Sequence, residues 1–168
     1  MENTQAVLRK KLYSTIAAAA LMALILGQRH AGFMLYLAII PLAIWIPYSV
    51  VVMVRKPERR LLQLALVSCW VLAVLLVAGI HYFRHEATRR NADDIVAAIK
   101  EFKTKRGSYP LTLDEVGIGR TALKDKLGSF SGYNRDVVGT PALFYAATWI
   151  VFDTYEYDFR TDSWVYRG

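Results

Sequence analysis

Three histidines are the residues of this 168-residue chain whose type and spacing come nearest to a ligand or reaction centre. His81 and His85 are four apart, so a helix sets both imidazoles on one face, a geometry that a metal ion can bridge. His30 and Glu86 could complete such a site, which would suit a metal- or haem-linked redox subunit. The plainer reading is amphipathic side chains at a membrane boundary, and no H-E-x-x-H pattern accompanies them. Beyond His85 the chain has neither His nor Cys, which removes Ser–His and Cys–His nucleophile systems from its second half. No Gly-rich phosphate loop occurs either. Carboxylates remain, but Glu156 and Asp158 alternate with aromatic residues and read as the wet face of a strand. The expectation is a non-enzymatic protein that uses no cofactor.

The elements around these residues are strongly apolar. Hydrophobic residues make up 55% of the chain, and three stretches lack any Asp, Glu, Lys or Arg. A bilayer core of ~30 Å needs roughly 20 apolar residues in a helix, which predicts spans of about 12–28, 31–54 and 61–83. The first follows Arg9, Lys10 and Lys11 like a signal peptide, but no small-x-small cleavage site precedes the next span, so it reads as a membrane helix. The lone cysteine, Cys69, lies within the third span and has no partner for an intrachain disulfide.

Charge is unevenly placed. Residues 1–83 hold eight Lys/Arg against two acidic residues, and residues 84–168 hold thirteen against twelve. The basic excess therefore flanks the spans and does not predict a nucleic-acid surface. Arg9, Lys10, Lys11, Arg55, Lys56, Arg59 and Arg60 on one side outnumber Arg29, Arg84, Arg89 and Arg90 on the other. The positive-inside rule then puts the N-terminus in the cytoplasm and the C-terminal domain outside.

Within the spans no ionisable group of the kind that marks a transport path is present, apart from histidines near the boundary. Ala19, Ala23 and Gly27 form a small-residue stripe that lets another helix approach. Pro41 and Pro47 free backbone carbonyls in the second span, which favours packing against protein. Trp45 and Trp70 fall at matching depth in an antiparallel hairpin, which suits contact between helices or with a partner.

From Glu86 the chain is helix-compatible to about Arg106, with Ala92, Ile95, Ile99 and Phe102 on one face. Asn91 is a candidate cap for a separate helix, the alternative being that the third span runs straight on. Gly107 supplies a stop, Tyr109-Pro110 an extended segment, and Thr112-x-x-Glu115 a capping box. Residues 118–140 read as irregular. Strands are expected over 143–150, 152–159 and 163–167, with a turn at Arg160–Asp162. One helix on a three-stranded antiparallel sheet cannot bury all the aromatics here, so Trp149, Tyr155, Tyr157, Trp164 and Tyr166 are candidates for a partner-binding face.

The run Asp94-Ile95-x-x-x-Ile99-x-x-Phe102-x-x-x-x-Gly107-x-Tyr109-Pro110, followed by Leu113-Asp114-Glu115, resembles the periplasmic domains of type IV pilin-like proteins, above all type II secretion pseudopilins. The likeness covers residues 86–168 and implies a long helix, a G-x-Y-P segment, a variable loop and a small antiparallel sheet. It also implies a periplasmic compartment. The calcium sites of major pseudopilins lie in the sheet loops, where this chain has Asp153, Asp158 and Asp162 without a recognisable ligand pattern. The leader-peptidase site of pilins is missing. The expected architecture is thus a three-helix membrane domain (1–85) and an α+β domain (86–168) at a bacterial inner membrane. Its expected partners are the lipid bilayer and another protein, either a toxin neutralised by this chain as an immunity protein or a subunit of a larger membrane complex.

Overall fold

The apolar runs fold as helices. In the computed structural model, which describes residues 2–135, 139–150 and 152–168, α1 covers Glu2–Leu26, α2 Leu35–Arg55 and α3 Arg60–Arg106. Single 3-10 turns lead into α2 and α3. Past α3 come a 3-10 turn at Leu113–Val116, α4 (Arg120–Leu127) and strands β1 (Ser131–Arg135), β2 (Pro141–Ala146), β3 (Thr154–Asp158) and β4 (Ser163–Arg167). The chain divides into two compact units, Met1–His81 and Tyr82–Gly168.

Among the described residues, two helical segments are long and apolar enough to cross a membrane, Gly32–Arg55 and Pro57–Arg106, where three were expected. The first helix falls short because it stops at Leu26. Its uncharged part, Leu12 to Leu26, rises only about 22 Å at about 1.5 Å per residue, against a bilayer core of about 30 Å.

In the first unit the buried positions form one seam. Leu66, Ala73, Val77 and His81 on α3 are buried at helical spacing, as are Ala19, Ala23 and Leu26 on α1 and Leu35 and Ser49 on α2. Many other apolar side chains are exposed: Leu24, Ile44, Leu61 and Leu72 are each more than 60% exposed. Pro41 and Pro47 lie inside α2 on the side exposed in the single chain. The α2–α3 turn is tight. Lys56 N–H bonds Val52 O at 2.9 Å, Pro57 opens the 3-10 turn, and Arg60 Nε donates to Met53 O at 2.8 Å.

Helix α3 runs unbroken through 47 residues, so the third apolar run continues into the helix of the second unit. Asn91 does not cap a new helix. Its amide donates to Lys126 O at 3.2 Å, satisfying one of the carbonyls left open at the end of α4. Gly107 ends α3 as expected, with φ 78° and its N–H on Lys103 O at 2.8 Å. The capping box does not form. Thr112 makes no side-chain cap bond, and Glu115 Oε1 accepts from Leu111 N–H at 3.0 Å.

The sheet has four strands in the order β1-β2-β3-β4, all antiparallel, where three were expected. The added strand, β1, and α4 both lie in the segment read as irregular. Residues expected at the ends of the longer strands form the β2–β3 connection instead, closed by Ala147 N–H on Asp153 O at 2.8 Å. The core packs Ala92, Ile95, Val96 and Ile99 of α3 against Leu143, Tyr145 and Tyr157 of the sheet, with Phe159 just past β3, and Leu113, Leu123 and Leu127 close it.

Gly117, with φ 75°, ends the 3-10 turn in the left-handed region, and a methyl group there would touch nothing. Gly117→Ala is therefore a backbone test alone. It should cost about 1–2 kcal/mol, measured by denaturant titration of the full chain in detergent. Gly119→Ala, with φ −68° at the residue, should cost clearly less. Equal losses would argue against the left-handed turn.

Candidate functional site

A concavity of about 790 Å³ lies in the second unit. Its apolar floor comes from Leu113, Ile118 and Leu123, and Phe144 adds an aromatic wall. Four successive residues of β1, Ser131 to Asn134, line it as well. Side chains of a strand alternate between faces, so a continuous run of lining residues means that the groove follows the strand's edge. Among the described residues, strand β1 has a strand neighbour on one side only, β2. Asp114, Arg120 and Lys124 form the polar rim, while Leu111 and Phe130 stand nearby at 71% and 59% exposure.

Local chemistry fixes the groove's shape. Tyr133 OH donates to Pro110 O at 2.8 Å, which ties the Tyr109-Pro110 segment to β1. Partial burial pushes that phenol up to about 12. Arg135 adds a bond to Tyr109 O at 3.3 Å. Opposite Phe144 sits Gly132, where a side chain would run into the ring: a Cβ would lie 2.6 Å from Cζ. Glycine here lets the aromatic ring lie flat over the neighbouring strand.

The five aromatic candidates divide. Tyr157 is 5% exposed and belongs to the core, and Tyr155 and Trp164 pack against it. Trp164 is held twice over, by Nε1 donating to Asp93 Oδ1 at 2.7 Å and by Arg89 stacked 4.6 Å from its ring centre. Trp149 is half-buried, and Tyr166, 55% exposed, donates to Asp153. The face expected to be open is therefore mostly the inner surface of the sheet. Of the described aromatics past α3, Phe152, at 79% exposure, and Phe130 are the most exposed.

The carboxylates of the sheet loops are each engaged locally. Asp162 accepts from Tyr157 and pairs with Lys100 of α3, and that ammonium holds the Asp162 carboxyl below its usual range. Reciprocally, Asp162 first and Tyr157 second push Lys100 upward. Asp158 is held low by the Arg160 N–H, which donates to it at 2.8 Å. Glu156 pairs with Arg167 at 2.8 Å. Asp153, Asp158 and Asp162 thus serve three separate contacts.

The histidines also take separate duties. His81 is 3% exposed, and its Nε2 lies 2.8 Å from Leu26 O, so it donates to a carbonyl left open at the end of α1. His85, one turn on, packs its ring on Tyr155 at 5.3 Å. His30 sits in the α1–α2 connection with φ 63°. No group of three or more His, Cys, Asp or Glu gathers in metal-binding geometry among the described residues. Of the small-residue stripe, Ala19 and Ala23 are buried within the first unit. A methyl on Gly27 would meet Ala23 O at 2.7 Å and Ile80 at 3.4 Å. Trp45 and Trp70 line one cavity together.

Sequence reasoning did not find the groove, because its walls come from α4 and β1. Comparison with protein-family models, curated proteins and solved structures finds no match.

Proposed function

We propose that this chain is a non-enzymatic, membrane-anchored binding protein of the bacterial inner membrane, whose pilin-like C-terminal domain stands in the periplasm and docks another protein along the edge of β1. The groove carries this reading. An extended segment added to a free sheet edge gains main-chain hydrogen bonds, and adjacent apolar pockets take its alternate side chains. Here a strand edge, an apolar floor and exposed Leu111 line one groove, and exposed Phe130 directly precedes β1.

The membrane part rests on exposure. A core helix of a soluble protein hides its apolar run, yet the apolar windows of Gly32–Arg55 and Pro57–Arg106 are only 6% and 17% buried. Side chains that apolar and that open need a non-aqueous neighbour. The first helix, whose uncharged part is short and whose Ala19 and Ala23 are buried, supplies a third, thinner segment whose charged start extends into the cytoplasm. A periplasmic toxin, with this chain as its immunity protein, and a subunit of a larger membrane complex are the two partner classes that suit this architecture.

Site-specific photo-crosslinking in intact cells tests the docking edge. A crosslinker at Asn134 should yield one discrete adduct that is lost in Leu111→Asp/Phe130→Asp, and a crosslinker at exposed Thr161 should yield none. The identity of the adduct decides between toxin and complex subunit. No adduct at Asn134, or the same adduct from Thr161, would remove the proposal. Alkaline phosphatase fused after Gly168 should be active, and an inactive fusion would reverse the orientation.

A further inference from the structure

A second cavity, of about 330 Å³, lies in the first unit and has a graded lining. Lys11 of α1, Lys56 of the α2–α3 connection and Arg59 beside it supply three positive charges. None of the three is in an ion pair among the described residues. Trp45, Leu66 and Trp70 supply an apolar, aromatic wall. Gln63 also lines the cavity, and its Oε1 is buried without a hydrogen-bond partner. A buried polar atom left unpaired is costly, so this one calls for a donor from whatever fills the space.

We propose that this cavity binds the headgroup of one anionic, hydroxyl-bearing phospholipid. The phosphate sits among Lys11, Lys56 and Arg59, a headgroup hydroxyl donates to Gln63 Oε1, and the first acyl carbons lie along Trp45 and Trp70. Basic pockets between helices at the cytoplasmic boundary take lipid headgroups in this way. A free phosphate shares the anionic chemistry, but it would leave the tryptophan wall in water and Gln63 without a donor. The lipid satisfies all three parts of the lining. The inference rests on the reading that α2 and α3 cross a bilayer.

The test uses the full chain in neutral detergent, titrated separately with phosphatidylglycerol, phosphatidylcholine and inorganic phosphate, with thermal unfolding and native mass spectrometry as readouts. Phosphatidylglycerol should raise the melting temperature and saturate at one lipid per chain, while the other two should leave it unchanged. Lys11→Gln/Lys56→Gln/Arg59→Gln should weaken the effect about a hundredfold, taking each cation's share at its usual membrane value. Arg9→Gln/Lys10→Gln/Arg55→Gln removes the same charge outside the cavity and should keep it. Should the first variant fail to fold, the single change Gln63→Leu should still narrow the gap between phosphatidylglycerol and phosphatidic acid. Equal stabilisation by phosphatidylcholine, equal loss in both triple variants, or reproduction of the effect by inorganic phosphate would overturn the proposal. A chain released from membranes by alkaline carbonate would instead overturn the bilayer reading beneath it.

Discussion

Tyr145→Ala should unfold the C-terminal domain under conditions where the parent chain is fully folded. Tyr145 is the largest wholly buried side chain, with no exposed surface, in the second strand of the sheet. Its ring stacks on Tyr155 at 5.4 Å and meets Trp164 edge-on at 5.3 Å, and Trp164 is itself pinned by Arg89 and Asp93. Removing a buried aromatic ring costs about 3–5 kcal/mol, because the neighbours collapse only partly into the space. A domain of this size is stable by about 5–15 kcal/mol in all, so the loss takes a large share. The expected readout is loss of near-UV circular dichroism and rapid proteolysis of residues 86–168, with helical far-UV signal from the apolar half retained. A variant that keeps parental protease resistance would show that the aromatic cluster is not the core.

The same side chain should make the domain sensitive to alkali. Burial pushes the Tyr145 hydroxyl from 10.0 up to about 12, with the Arg89 guanidinium pulling the other way. Below pH 10 the folded and unfolded chains both keep the phenolic proton. Between pH 10 and about 12 the unfolded chain gives it up while the folded one holds it, so stability falls across that window and levels off above it. Two pKa units correspond to about 2.7 kcal/mol. Tyr133, shifted in the same direction but only half-buried, adds less because water screens its charge. Tyr145→Phe keeps the ring and removes the proton. Denaturant midpoints measured at pH 9, 10, 11 and 12 should fall less steeply in Tyr145→Phe than in the parent. Parallel curves would mean that Tyr145 does not titrate in the unfolding equilibrium.

Long patterns were legible in the sequence and short ones were not. The uncharged runs, the stripe from Ala92 to Ile99, the stop at Gly107 and the alternation of Tyr155, Tyr157 and Phe159 with charged residues all extend over several turns or strand pairs, where periodicity accumulates. Helix α4 has eight residues and only two buried anchors, Leu123 and Leu127, one turn apart. Strand β1, Ser-Gly-Tyr-Asn-Arg, has a single large apolar residue and no alternation. Nothing in either segment signals its type, and the groove they frame was hidden with them. Asn91 left two readings open because a helix start and a tertiary cap on another helix use the same side-chain chemistry, and the unbroken helix is the one the structure has. The aromatic side chains were expected outside because a sheet one strand narrower has less to hide them. With β1 added beside β2 and the α3 stripe laid across, the interior takes Tyr145, Tyr157 and Phe159 and half-covers Tyr155 and Trp164.

The place of Trp164 in that interior governs the order in which a growing chain can assemble it. The indole that bridges Tyr145, Tyr157 and Asp93 arrives with the final strand of the sheet. The α3 stripe and the first three strands, though made earlier, face an incomplete aromatic cluster until Ser163–Arg167 has been synthesised. The aromatic cluster of the domain is therefore complete only when the last strand has been made, after the long apolar helices.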